Sequence, residues 1–339
     1  APAHAPMPSS VLVAGATGRT GRLVVTRLLA EPGVKRVRAL VRDAGKAEEA
    51  LDTGNAKLEV VQCDLGRKNA VAKACEGMDS AIWCATGFSD AASPLNRLKG
   101  LFGVAVSPGR SIDILGLGAL VSAFFDAPSS AASLGAAGAP RVVMLSSAGV
   151  TRPSWDEAKQ ERLAGAADIP IVRLNPFGIL DQKCLAEDNV RKSGVDYCIV
   201  RPCGLNDEWP SGRPVLSQGD VAVGRTCRDD VASVLVSVLG EPAASGKTFE
   251  FSSIQGYPKP REGYGTTLAR MRPDADGPLS VEQLDAEYRL MQQLLPGEVQ
   301  DATKLEMGRK YEEVDAGEVS REKGAAPSQR EKGVAKGVL

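Results

Sequence analysis

Gly15, Gly18 and Gly21 stand three residues apart in Gly15-Ala16-Thr17-Gly18-Arg19-Thr20-Gly21, directly after the apolar run Val11-Leu12-Val13-Ala14 and before Leu23-Val24-Val25. These types at this spacing suit the holding of a pyrophosphate. Gly15 permits a sharp turn, Gly18 lets backbone approach the phosphates, and Gly21 lets a helix pack closely on the preceding strand, with the helix N-terminus turned to the anion. Thr17, Arg19 and Thr20 lie in the same loop and complete the candidate cradle. The spacing is not G-x-G-x-x-G, so the strand before the loop and the helix after it carry the assignment; a plain strand-to-helix turn is the competing reading.

A dinucleotide-binding chain places an acidic residue about 20 residues further on, to accept the ribose 2′-hydroxyl of NAD. Here Val41-Arg42-Asp43 occupies that place. Arg42, together with Arg19, would clamp a 2′-phosphate through charge-assisted hydrogen bonds, which favours NADP(H) over NAD(H), although Asp43 leaves the register open. Cys63-Asp64-Leu65 follows the next apolar run, where a carboxylate can receive an adenine amino group, and Ala85-Thr86-Gly87 follows the one after, where small residues let backbone lie along the cofactor. All of these fall at the carboxyl ends of expected strands, the side on which open α/β sheets bind ligands.

The elements that must position them are read from period and composition. Strands are expected near 11–13, 37–41, 58–61, 81–84, 142–145, 197–200 and 248–251, and helices near 21–30, 70–75, 111–125, 176–193 and 229–239. This alternation implies an α/β fold, a doubly wound parallel sheet of Rossmann type covered on both faces. Residues 1–9 form a flexible leader, 10–253 the nucleotide-binding domain with its substrate-side elements, 254–316 a C-terminal helical extension and 317–339 a disordered tail. In the extension, Ser280 with Gln283 makes a capping box for a helix whose Leu284, Tyr288, Met291 and Leu295 form an apolar face, for docking on the core or on a partner. The stretches 88–110 and 126–140 are long loops. The first carries Leu95, Leu98, Leu101 and Phe102 among basic residues, as a lid, a docking face or an ordinary surface helix.

Composition removes several classes. The 339 residues carry 41 Lys and Arg against 42 Asp and Glu, a balance that argues against an electrostatic nucleic-acid binder. The one histidine, His4, lies in the leader, which excludes a Ser-His-Asp triad or a His-based zinc site from the folded body. Seven scattered cysteines without C-x-x-C fit reduced, packed thiols. The most apolar window, 111–125, is too short to span a bilayer and contains Asp113, so it reads as a buried helix. The chain starts at Ala1, which suits a processed targeting peptide or an arbitrary boundary equally.

GATGRTG (15–21), LVRD (40–43), CDL (63–65), LSSAGV (145–150), the block NPFGILDQKCLAEDNVRKSGVDYCIVRPCGL (175–205) and RDDVASVLV (228–236) resemble the atypical short-chain dehydrogenase/reductase family. Its members include NmrA-like regulators and plastid relatives, among them photosystem II biogenesis factors, and the match covers residues 10–252. The resemblance implies that Ser147 takes the catalytic serine place and Lys183 the lysine place of a Tyr-x-x-x-Lys pair, on a helix entered through Asn175-Pro176. Ser146, Lys183, Arg201 and Pro202 would then line the nicotinamide half of the cofactor site. Four residues before Lys183 stands Ile179, so the proton donor is missing; before Lys159, at similar spacing, stands Trp155. A positioned acid contributes about 10²–10⁴-fold, so ordinary carbonyl reduction would be seriously weakened while cofactor binding need not be. A surface pair of Lys183 with Glu187 is the structural alternative for that lysine.

The expectation is an NADP(H)-binding protein with impaired or lost reductase chemistry, serving as an assembly, scaffold or redox-responsive factor for a photosynthetic complex in the plastid, in the stroma or on the stromal thylakoid face. A protein partner would bind through 88–110 and 280–312, and peripheral membrane association is compatible with the chain. The alternative is an active NADPH-dependent oxidoreductase on a small quinone, enone or carbonyl, using Lys183.

Overall fold

Val11, Leu12, Val13 and Ala14 are all buried, as a strand covered on both faces requires. In the computed structural model the described residues are 6–86, 111–126, 138–175, 178–260 and 263–294. The strands are β1 (Ser10–Ala14), β2 (Arg36–Val41), β3 (Leu58–Gln62), β4 (Ser80–Trp83), β5 (Val142–Leu145), β6 (Tyr197–Pro202), β7 (Gly204–Leu205), β8 (Arg213–Ser217), β9 (Arg225–Thr226) and β10 (Lys247–Ile254). Among the described residues they form an eight-stranded sheet of order β3-β2-β1-β4-β5-β6-β10-β8 and a small parallel pair, β7 with β9. The 3-2-1-4-5-6 portion is the Rossmann order, which reverses direction beside β1 and opens a crevice there.

All seven parallel strands coincide with the expected ones. The sequence reading missed β8, which runs antiparallel to β10. Its Pro214 argues against a central strand, and β8 stands at the sheet edge, where a missing backbone N–H is tolerated. The pair β7–β9 is too short to have a period.

The helices are α1 (Gly21–Ala30), α2 (Ala44–Ala50), α3 (Lys68–Cys75), α4 (Ile112–Asp126), three short ones α5 (Glu157–Arg162), α6 (Ala164–Ala167) and α7 (Pro170–Leu174), then α8 (Ile179–Arg191), α9 (Arg228–Leu239), α10 (Gly265–Arg270) and α11 (Val281–Gln293). One face of the sheet packs Val24, Val25 and Leu28 of α1 and Val231, Leu235 and Val238 of α9 against Val11, Val13, Val143 and Val200. The other packs Val71 of α3, Leu117, Leu120 and Phe124 of α4 and Val190 of α8 against Leu12, Trp83, Met144 and Ile199. Burial of these alternating residues supplies the stability of both layers.

The cysteines among the described residues are free thiols. Burial pushes the Cys84 thiol up to about 12, which keeps it protonated and unreactive. No helix among the described residues is long and apolar enough to cross a membrane.

Beyond Ile254 the extension turns back onto the core. The capping box of α11 forms, Gln283 N–H donating to Ser280 Oγ at 3.2 Å and Ser280 N–H to Gln283 Oε1 at 3.0 Å. Leu284 packs with Trp155, Leu163, Ala166 and Val221, and Met291 with Ala148, Cys203 and Ala222. Tyr288 accepts the Gly165 N–H at 2.9 Å. The apolar face of this helix is therefore used within the chain. Leu295, residues 1–5 of the leader, the loops over 87–110 and 127–137, and the tail lie outside the described residues.

Two glycines of α4 separate packing from propensity. A Cβ on Gly116 would lie 2.5 Å from the Leu65 carbonyl oxygen and 2.9 Å from the Trp83 ring, whereas one on Gly118 meets nothing within 4 Å. Urea unfolding is expected to show Gly116→Ala destabilised by about 1–3 kcal/mol by overpacking, and Gly118→Ala unchanged or stabilised by up to about 1 kcal/mol through helix propensity.

Candidate functional site

Because the six strands are parallel and in register, they end together. Val61, Leu40, Ala14, Trp83, Met144 and Ile199 form one row across β3, β2, β1, β4, β5 and β6. Gly15 follows that row by one residue, Arg42, Ala85, Ser146 and Arg201 by two, and Asp64 by three. One edge of the sheet thus gathers nearly every residue singled out in the sequence.

The glycine loop is built on close contacts. Gly15 has φ +77°, and a Cβ there would lie 2.7 Å from Ala85 N; a Cβ on Gly21 would lie 2.1 Å from the Gly15 carbonyl oxygen. Gly18 donates its N–H to that same oxygen at 3.0 Å, and Arg22 N–H returns to Gly18 O at 3.0 Å. A Cβ on Gly18 would meet only Gly15 O, at 3.1 Å, so its outer side is open. No side chain caps α1 and no acidic residue stands in its first turn, which leaves the positive end of the helix facing the crevice. Thr20 is buried at the N-cap position, and Arg19 forms an ion pair with Asp207. A clamp by both arginines on one phosphate therefore requires Arg19 to leave Asp207.

At the end of β2, Asp43 is the N-cap of α2, its Oδ1 accepting Gly45 N–H at 3.0 Å and Lys46 N–H at 3.4 Å. Arg42 beside it is exposed. Asp64 takes Gly66 N–H at 2.9 Å in a local turn and pairs with Arg67 at 3.4 Å, with most of its side chain in solvent. Leu65 presents its backbone to α4. Ala85 is buried against Gly15, and Thr86 is exposed; Gly87 lies outside the described residues.

On the other half of the edge the side chains are arranged differently from the expectation. Ser146 Oγ donates to Glu187 Oε1 at 2.6 Å, while Ser147 Oγ donates to the Ala148 carbonyl at 3.0 Å. Arg201 directs Nε to Glu187 Oε1 at 2.9 Å and Nη2 to Oε2 at 2.5 Å, and Arg191 adds a third cationic contact at 2.8 Å. Burial alone would raise the Glu187 pKa; the charges and hydrogen bonds of Arg201 and Arg191 outweigh it and hold the carboxyl below its ordinary range. The pairing of Lys183 with Glu187 is therefore corrected. Lys183 meets Asp113 of α4 at 3.8 Å, both side chains largely buried, because the Glu187 side chain already serves two arginines.

The described helix α8 runs from Ile179 after Gly178 in the left-handed region, and the expected start at Pro176 lies outside the described residues. Asn175 still caps it, its Oδ1 accepting Leu180 N–H at 3.0 Å. Ile179 stands one turn before Lys183. Among the described tyrosines, Tyr197 donates to Asp274 at 2.9 Å, Tyr288 accepts from Gly165, and Tyr264 is buried on the opposite face of the sheet.

Sequence reasoning missed the roles of three acids. Glu187 was masked by its spacing from Lys183. The lone acid in the apolar window pointed to Asp113 without naming its partner. Asp207 carried no signal.

The open outer side of Gly18 and the uncapped N-terminus of α1 fit a dinucleotide pyrophosphate. Gly15, Thr17, Gly18, Arg19, Thr20 and Gly21 would hold it, with Arg42 and Asp64 toward the adenosine half and Ala85, Ser146, Lys183 and Pro202 toward the nicotinamide half. Such a cofactor supplies a hydride when bound. Among the described residues no cluster of His, Cys, Asp and Glu suits a metal.

The chain belongs to the NAD(P)H-binding family, whose model matches residues 15–242. It is 31% identical over 252 residues, 74% of this chain and 78% of the relative, to the uncharacterized chloroplastic protein At2g34460 of Arabidopsis thaliana. It is 31% identical over 210 residues to the chloroplastic protein TIC 62 of the same plant, covering 58% of this chain but 27% of TIC 62. A solved Bacillus halodurans structure with the provisional name NAD-dependent epimerase/dehydratase shares the fold, with TM-score 0.53, 21% identity and coverage of 78% of this chain and 100% of that one.

Removing the Glu187 carboxylate leaves Arg201 and Ser146 without their partner in the interior, so Glu187→Ala is expected to cost about 3–5 kcal/mol in denaturant unfolding. Since its folded pKa lies below the ordinary glutamate value of 4.5, the stability it contributes is complete above that value and is lost as pH falls through the lower, folded value. Glu187→Gln, measured from pH 7 downward, is expected to show a shallower acid loss than wild type.

Proposed function

We propose that the chain is an NADP(H)-binding protein of the plastid whose reductase chemistry is impaired or lost, and that it works as an assembly, scaffold or redox-responsive factor for a photosynthetic complex. One observation carries the reading: the lysine place is filled while the donor place holds Ile179, and Lys183 faces the Asp113 carboxylate. The docking of α11 supports it further. Met291 packs on Ala148 and Cys203, the residues that follow Ser147 and Pro202, so the substrate side of the strand ends is covered by the chain itself. The plastid assignment rests on the relatives named above, both chloroplastic. The NADP assignment rests on Arg42, with Asp43 withdrawn as an N-cap. The partner would read the ligand state through any contact whose affinity differs between the loaded and empty forms; the solvent-facing Val281 and Leu290 of α11 are the described part of that surface.

The competing reading is an NADPH-dependent oxidoreductase on a small quinone, enone or carbonyl, and the retained Lys183 at the strand ends favours it. Calorimetry with NADPH and NADH comes first. Wild type is expected to prefer NADPH, and Arg42→Ala to lose about ten- to a hundredfold in NADPH affinity with little change for NADH; equal affinities in wild type would remove the NADP assignment. Stopped-flow oxidation of NADPH against a panel of quinones, enones and carbonyls is expected to give no turnover. Turnover that disappears in Lys183→Ala would establish the oxidoreductase instead.

A further inference from the structure

Asp207 is held in place from three sides, and its carboxylate reaches the glycine loop. Asn206 N–H donates to Thr226 O at 3.1 Å, Glu208 N–H to Asn206 Oδ1 at 2.9 Å, and the Trp209 indole to Ser253 O at 3.3 Å, which fixes the turn on which Asp207 sits. Behind it β7 pairs with β9. From this turn Oδ1 accepts Arg228 Nη1 at 2.6 Å, at the first residue of α9, and Oδ2 accepts Arg19 Nη2. The two partners differ in exposure: the Arg228 side chain is 13% exposed and that of Arg19 48%. Arg228 is the anchor and Arg19 the removable half.

Topology gives the contact its meaning. β1 and β6 are separated in the sheet by β4 and β5, three strand spacings or about 14 Å. A residue that follows β6 and meets one that follows β1 therefore reaches past the ends of both intervening strands, beside the N-terminus of α1 where the pyrophosphate would sit. An arginine in a phosphate loop that is already neutralised by a fixed carboxylate can serve an incoming anion only by changing partners.

We propose that Asp207 is a latch on the dinucleotide cleft: anchored by Arg228, it keeps Arg19 in an ion pair that a ligand phosphate must take over, so that cofactor binding and opening of this contact are one event. The inference rests on the dinucleotide reading of the site. It makes Asp207 an internal competitor that lowers affinity, and it links the state of the glycine loop to the segment between β6 and α9.

The test is calorimetric titration of the full chain with NADPH, for wild type, Asp207→Asn, Arg19→Met and the double variant, with thermal melts confirming that each is folded. Breaking an exposed pair costs little, so Asp207→Asn is expected to bind about two- to fivefold more tightly than wild type. Arg19→Met is expected to bind more weakly, and Asp207→Asn to have no effect in the Arg19→Met background. Unchanged or weaker binding by Asp207→Asn, or the same gain without Arg19, overturns the latch while leaving the dinucleotide reading intact. Absence of binding in all four proteins overturns that reading, and the latch with it.

Discussion

The constraint on which the cleft depends is between two glycines. Gly21 opens α1 so near the Gly15 carbonyl that a Cβ would stand 2.1 Å from it, and Gly15 itself lies against the backbone of Cys84 and Ala85. These contacts fix the start of α1 over the end of β1 and next to the end of β4, and everything asked of the cleft follows from that placement. A helix set further out would aim its N–H groups past the strand ends. Here its positive end, uncapped by any side chain, opens onto the crevice between β1 and β4.

The second half of the site is fixed by charge. Glu187 ties the end of β5 through Ser146, the end of β6 through Arg201 and its own helix through Arg191. Arg191 continues to Asp274, which also accepts from Thr248 and Tyr197, so the hydrogen-bonded network runs from the strand ends to the segment before α11. A buried carboxylate with this many donors is costly to disturb, and it leaves the strand ends one arrangement.

How much of this could be read from the residues depends on how local each cause is. The parallel strands, α1, α4 and α9 are written in apolar runs and periods, and the glycine loop in three residues whose roles are steric and therefore visible in the spacing. The β8 strand was hidden by Pro214, acceptable only because the strand lies at an edge, and edge position is a property of the whole sheet. The partners of Lys183 and Arg201 escaped for a different reason: Asp113 reaches Lys183 through the packing of α4 on α8, and Glu187 reaches Arg201 through the packing of α8 on β6, and pairing between elements has no sequence period.

Those pairings bear on what the cleft can do. Two of the cations that sequence reasoning assigned to a ligand, Arg19 and Lys183, each face a carboxylate delivered by another element, Asp207 and Asp113. Nearly neutral pairs attract an anion less at long range than free cations would, and each must exchange partners before it contributes to binding. For Lys183 the exchange is hard, since both side chains are largely buried and a stranded Asp113 would be left inside the protein. For Arg19 it is easy, since the pair is half in solvent and Asp207 keeps Arg228. The Arg19 end of the strand-end edge is thus the adaptable one and the Lys183 end the rigid one.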